Sequence, residues 1–103
     1  MKKASKKAPT KRARRLTPIR VGNAVHIRTV THYYAGRIVA IEDDHLVLEK
    51  VAWIAWPDKR WSELLATGVI APSEVEPFPG LVALARGAIV DVTSWPHALP
   101  GHA

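Results

Sequence analysis

From Ala24 onward, apolar and polar residues alternate along the chain. Val25, Ile27 and Thr29 are interleaved with His26 and Arg28, which predicts a half-buried strand of about eight residues. Tyr33 and Tyr34 lead through Gly36 into a second strand, with Ile38 and Ala40 on one phase and Val39 and Ile41 on the other. Glu42-Asp43-Asp44 is a polar break short enough for a hairpin turn. A third strand, from His45 to about Trp56, carries Leu46, Val47, Leu48, Val51, Trp53 and Ile54. Apolar residues on both of its phases predict that it crosses the middle of a closed or strongly curved sheet, with Gly36 permitting the bend.

The period then changes. Asp58 after Pro57 reads as an N-cap. Trp61, Leu64 and Leu65 follow at i, i+3 and i+4, and Gly68 reads as the stop, which predicts a two-turn helix over about 59–67. So short a helix holds only if Trp61 and the leucines pack down. Residues 71–80 (APSEVEPFPG) are proline-rich and predict a rigid, extended connector. Two further strands, Leu81–Ala85 and Ala88–Thr93, flank an Arg86-Gly87 turn. In the last strand Ala88, Val90 and Val92 oppose Ile89, Asp91 and Thr93. Trp95 is expected to cap the end of the sheet, and residues 96–103 (PHALPGHA) to form a loose C-terminal end. Five short strands in about 70 residues predict an all-β fold, a small SH3-like barrel with one short helix in a loop, because an open sheet of that size exposes its edges.

Upstream of this body the composition shifts. Residues 1–20 hold nine cations (Lys2, Lys3, Lys6, Lys7, Lys11, Arg12, Arg14, Arg15 and Arg20) and no acid; the first acid of the chain is Glu42. The remaining six cations face all nine acids, so the overall net charge of +6 is a +9 arm on a body of −3. Residues 1–15 hold one apolar side chain larger than alanine, Met1. Alone in solution such a segment cannot offset its ordering entropy, which makes residues 1–20 a basic tail and 21–95 the folded domain. The arm suits a polyanion. Nucleic acid fits it better than a membrane surface, because no aromatic or leucine anchor precedes Leu16. A solubilising tail or a targeting address would have the same composition.

Several classes are disfavoured. Cysteine is absent, which removes disulfides and thiolate metal sites. The apolar runs fall short of the ~18 residues of a spanning helix, and no apolar stretch follows the N-terminal charges as in a secretory signal. A soluble protein is expected, cytoplasmic or within a virion or similar particle. His26, His32, His45, His97 and His102 show no tight metal-ligand spacing, Asp43-Asp44 is an acidic turn, and no glycine-rich phosphate loop is present. The expectation is a non-enzymatic protein without metal or cofactor.

The segment Gly36-Arg37-Ile38-Val39-Ala40-Ile41-Glu42-Asp43-Asp44-His45-Leu46-Val47-Leu48-Glu49 resembles the first motif of the Sm-like family, which includes the bacterial RNA-chaperone rings. Val82-Ala83-Leu84-Ala85-Arg86-Gly87-Ala88-Ile89-Val90 resembles its second motif, and the insert 57–80 falls in the family's variable loop. The chain departs from the family in its N-terminal helix, whose place Pro18 and Gly22 interrupt. It also carries Glu42 at the acidic position, where the family has aspartate. The resemblance implies a ring of five to seven copies binding nucleic acid, RNA more than DNA. It implies that Arg86, with Gly87, lies near the pore, contacts a base or phosphate and pairs with the turn at Glu42. His45 stands near the place of the base-contacting asparagine of the eukaryotic and archaeal form, which is missing here.

Each of these residues has a plainer reading. Arg86 is also an ordinary surface arginine beside a turn glycine, and His45 a solvated turn histidine. Tyr33 and Tyr34 suit a stacking platform, or one packs in the core while the other covers a rim. Trp53, Trp56 and Trp61 are expected to cluster as core or subunit contact. A second function is compatible with the same barrel: a structural ring or assembly component of a phage-type particle, its tail touching neighbouring subunits, other assembly proteins or packaged genome.

Overall fold

The computed structural model describes residues 16–55 and 60–102. The arm up to Arg15, Trp56 and the expected cap Asp58 therefore lie outside the described residues. The chain runs β1 (Ala24–Thr29), β2 (Tyr33–Ile41), β3 (His45–Ile54), α1 (Trp61–Thr67), β4 (Val75–Pro77), β5 (Val82–Ala85) and β6 (Ile89–Ser94). All six strands join one antiparallel sheet in which β3, β2, β1 and β6 are successive neighbours. The far side of β3 is shared, with β5 on Leu46 and its surroundings and β4 on Ala52–Ile54. The sheet is open among the described residues: β6 pairs only with β1, β5 only with β3, and no ladder joins the two.

The mixed phase of β3 has a local cause. Glu49 pairs with Arg37 and Ala52 with Ala35, so Lys50 and Val51 together oppose Gly36. Lys50 takes the left-handed conformation, φ 50°, and the extra residue shifts the alternation by one. Leu46 and Leu48 face the inner core before the bulge, and Val51 faces it afterwards. Gly36 is required there. A Cβ on it would stand 3.0 Å from Val51 Cγ2 and 3.2 Å from the Glu49 carbonyl oxygen. What glycine provides at position 36 is room for the close approach of the bulged segment of β3. Gly36→Ala is expected to destabilise the fold by about 1–3 kcal/mol, read from the urea midpoint, because the backbone oxygen cannot yield as a side chain can.

Val25, Ile27, Ile38, Leu46, Leu48, Val51 and Leu84 form the inner core. A second cluster lies on the outer face of β1, where Leu64 of α1, Trp95 and Leu99 are buried against Ala24, with Trp61, Leu65 and Ile70 packed around them. Trp61, Leu64 and Leu65 pack down as their spacing predicts. Gly68 ends the helix in the left-handed conformation, φ 70°, its N–H donating to the Leu64 carbonyl.

Four expectations need correction. Residues 96–102 are not loose: Leu99 is buried, His97 Nε2 donates to the Leu65 carbonyl (2.8 Å) and His102 Nε2 to that of Val51 (2.9 Å). Trp95 does not cap an end of the sheet but lies in the outer cluster, its Nε1 donating to the Ala98 carbonyl. The connector contains a short 3-10 helix, Pro72–Glu74, and the strand β4, which finds a partner because β5 leaves the last turn of β3 unpaired. Val90 is extruded at a register shift between Arg28 and Thr29, so Ile89 and Val92 share the inner side while Val90 is exposed.

Candidate nucleic-acid interface

Three connections meet at one place on the sheet. The β2–β3 hairpin closes with the Glu42 N–H on the His45 carbonyl (2.8 Å), a tight turn that leaves Glu42, Asp43 and Asp44 exposed. Residues 86–88 form a short 3-10 helix between β5 and β6, whose Arg86 N–H donates to the Asp44 carbonyl (2.9 Å). The β1–β2 loop is held to it by the Val30 N–H on the Ala88 carbonyl (3.1 Å). The loop is itself fixed by Thr29, whose N–H and hydroxyl both donate to the His32 carbonyl while Oγ1 accepts the His32 N–H.

Arg86, Gly87, His45 and the acidic turn are thereby brought together. His45 is half-buried, directly opposite Ala85 in the β3–β5 ladder, and Arg86 and Gly87 are exposed. The expected pairing of Arg86 with Glu42 takes a different form. Arg86 Nη1 donates to the backbone carbonyl of Glu42 at 3.3 Å, not to its carboxylate. One guanidinium nitrogen is used at long range and the planar fork stays on the surface, where it can meet a phosphate or a base. Gly87 has no φ in the left-handed region and nothing within 4 Å of an added Cβ. The chain's own fold does not require glycine there. Gly87→Ala is expected to change stability by less than about 0.5 kcal/mol in a urea melt, in contrast to Gly36→Ala.

Arg20, the one cation of the basic segment among the described residues, is exposed. Its carbonyl accepts the Asn23 N–H in a turn where Gly22 has φ 96°. Ile19 packs on the inner core and the Asn23 side chain donates to the Pro18 carbonyl, so the arm is anchored to the sheet from Pro18 onward.

The two tyrosines part company, because consecutive strand residues face opposite sides. Tyr33 packs on Trp61 in the outer layer, the rings 4.5 Å apart and tilted by 58°, and Tyr34 packs against the inner core with Trp53 as its cross-strand partner. Trp53 and Trp61 therefore do not cluster. Trp53 meets His32 at 5.2 Å, and His32 also touches Tyr34, which places an aromatic group beside the three connections. The sequence reading missed His32, which has no pattern of its own; only the folding of the loop onto Thr29 brings it to Trp53.

Two ion pairs tie neighbouring strands together. Arg28 and Asp91, opposite one another on β1 and β6, form a bidentate pair. The hydrogen bonds from Arg28 hold the Asp91 carboxyl below the usual carboxylate range. Arg37 and Glu49, opposite one another on β2 and β3, approach to 3.9 Å. Among the described residues no three histidine or carboxylate side chains converge as a metal site requires, and no helix is long and apolar enough to cross a membrane. Compared with known proteins, the chain matches no family model and no curated sequence.

Proposed function

We propose that this protein is a non-enzymatic, Sm-like ring protein that binds nucleic acid, RNA in preference to DNA. In this reading the basic arm supplies affinity, and the Arg86–Gly87 turn with His45 supplies a local contact. The observation that carries the reading is the separation of charge: nine cations without an acid in residues 1–20, attached to a body of −3. The sheet order β6-β1-β2-β3-β5 supports a small barrel whose two outer strands remain free to pair with neighbouring copies. Exposed Leu81 beside β5 and exposed Val90 on β6 give those edges apolar surface to cover. We propose a ring of five to seven copies closed by these edges.

The test is a titration of short RNA and DNA strands at several salt concentrations, with the mass of nuclease-treated protein measured in parallel. Phosphate contacts position a protein and base contacts specify it. Arg86→Ala is therefore expected to change the log–log salt slope by at most about one contact while lowering base preference. A monomeric mass at micromolar concentration would remove the ring. Protein that purifies free of nucleic acid and assembles only with other proteins would move the assignment to a structural component of a particle.

A further inference from the structure

His26 is the only buried side chain of a polar or charged residue among the described residues, 1% exposed, and neither ring nitrogen has a hydrogen-bond partner. Its ring packs against two indoles, Trp61 of α1 at 5.2 Å and Trp95 of the C-terminal segment at 6.1 Å. A neutral imidazole tolerates that position, whereas an imidazolium there has neither water nor an acceptor. The side chain cannot leave the outer face of the sheet, because β1 is paired on both sides, with His26 opposite Ala35 of β2 and Thr93 of β6. Water can reach it only if what covers it lifts.

We propose that α1 and residues 95–102 form an acid-releasable layer, which undocks from the outer face of the sheet when His26 is protonated while the inner core stays folded. The two clusters make this separable. The layer is held by three buried side chains, Leu64, Trp95 and Leu99, and by hydrogen bonds from the Trp95 N–H to the Ala24 carbonyl and from His102 to that of Val51, whereas the inner core has seven buried side chains and lies on the other side of the sheet. The helix is seven residues long and has no side-chain N-cap, so it does not persist without its packing.

The surrounding charges do not rescue the imidazolium. Asp91 on β6 favours it and Arg28 on β1 opposes it, and the two are hydrogen-bonded to each other. Glu63, the one acid on α1, is exposed, and the Tyr33 ring of β2 packs on Trp61. His97 and His102 donate through Nε2 to the carbonyls of Leu65 and Val51, and neither is a hydrogen-bond partner of His26. Burial holds His26 at about 4 against an ordinary 6.5. The folded state thus binds fewer protons than the undocked state between those values. Docking is nearly unaffected above pH 6.5 and weakens as pH falls, by about 150-fold in its equilibrium constant at pH 4.

The experiment is an NMR titration of the full-length protein from pH 7.5 to 3.5, following backbone amides and the His26 ring. The expected result is a shared midpoint below pH 6 for the His26 ring and the amides of residues 61–67 and 95–102, with the amides of β1, β2 and β3 still dispersed. His26→Phe, which fills the same slot without a titrating nitrogen, is expected to keep the layer docked throughout. Three results on the wild type alone overturn the proposal: His26 titrating near 6.5 with the layer unchanged, a single transition that takes the strands with it, or a layer docked to pH 3.5. A His26→Phe layer that releases at the wild-type midpoint overturns it as well.

Discussion

Removal of residues 1–15 is expected to flatten the salt dependence of nucleic-acid binding by several units and to cut affinity on the order of a thousandfold. The deletion removes eight cations and leaves Arg20 in place. Each phosphate contact on a single strand contributes roughly −0.7 to the slope of log affinity against log salt, so loss of most of eight contacts lowers the slope by about 5. The cut belongs at Arg15 because Pro18 and Ile19 are part of the folded body, through the Asn23 hydrogen bond and the inner core. A longer deletion would mix lost charge with lost packing. The measurement is fluorescence anisotropy with a labelled oligonucleotide from 50 to 300 mM salt, beside a urea melt showing that the shortened protein is as stable as the parent. Unaltered slope and affinity would take the arm out of nucleic-acid binding and favour its contact with protein neighbours.

Trp95→Ala is expected to cost about 3–5 kcal/mol, a large part of the roughly 5–15 kcal/mol that holds a small domain together. Trp95 is 2% exposed and the largest buried side chain among the described residues. It touches His26 on one side and meets His97 edge-on at 5.0 Å on the other, and its Nε1–H is satisfied by Ala98. Truncation leaves a cavity next to the unpartnered imidazole. Water then reaches His26, and its pKa returns from about 4 toward 6.5. In the parent, burying the neutral ring makes stability fall by about 3 kcal/mol as pH drops from 6.5 to 4, with no contribution from this residue above 6.5. The variant is expected to be less stable at pH 7 and to show a shallower acid dependence. Urea denaturation at pH 7, 5.5 and 4.5 checks both, and a variant curve parallel to that of the parent would contradict the second.

Local pattern determined the elements that repeat or stop abruptly. The alternation at Val25–Thr29, the acidic turn at 42–44, the Trp61-Leu64-Leu65 stripe and the Gly68 stop each depend on residues within a turn or two of one another, and all are where the sequence predicts. The convergence of Arg86 on the acidic turn is an expectation of the family resemblance alone, and it depends on the pairing of β3 with β5. Composition alone separated the basic segment from the acidic body. What the sequence could not show depends on pairing between distant segments. Val75–Pro77 is a strand only because β5 is too short to cover all of β3, and no pattern within three residues, one a proline, announces that. The apolar run of β3 reads as two buried faces until the Lys50 bulge shifts its phase. Residues 96–102 are polar and proline-rich enough to pass for a frayed end, yet they cover β1 because α1 leaves its outer face incomplete. His26 shows the division most clearly. Its place in the alternation set it on the outward side of β1, and only tertiary packing, which brought Trp61 of α1 and Trp95 of the C-terminal segment against it, turned an outward histidine into a buried one.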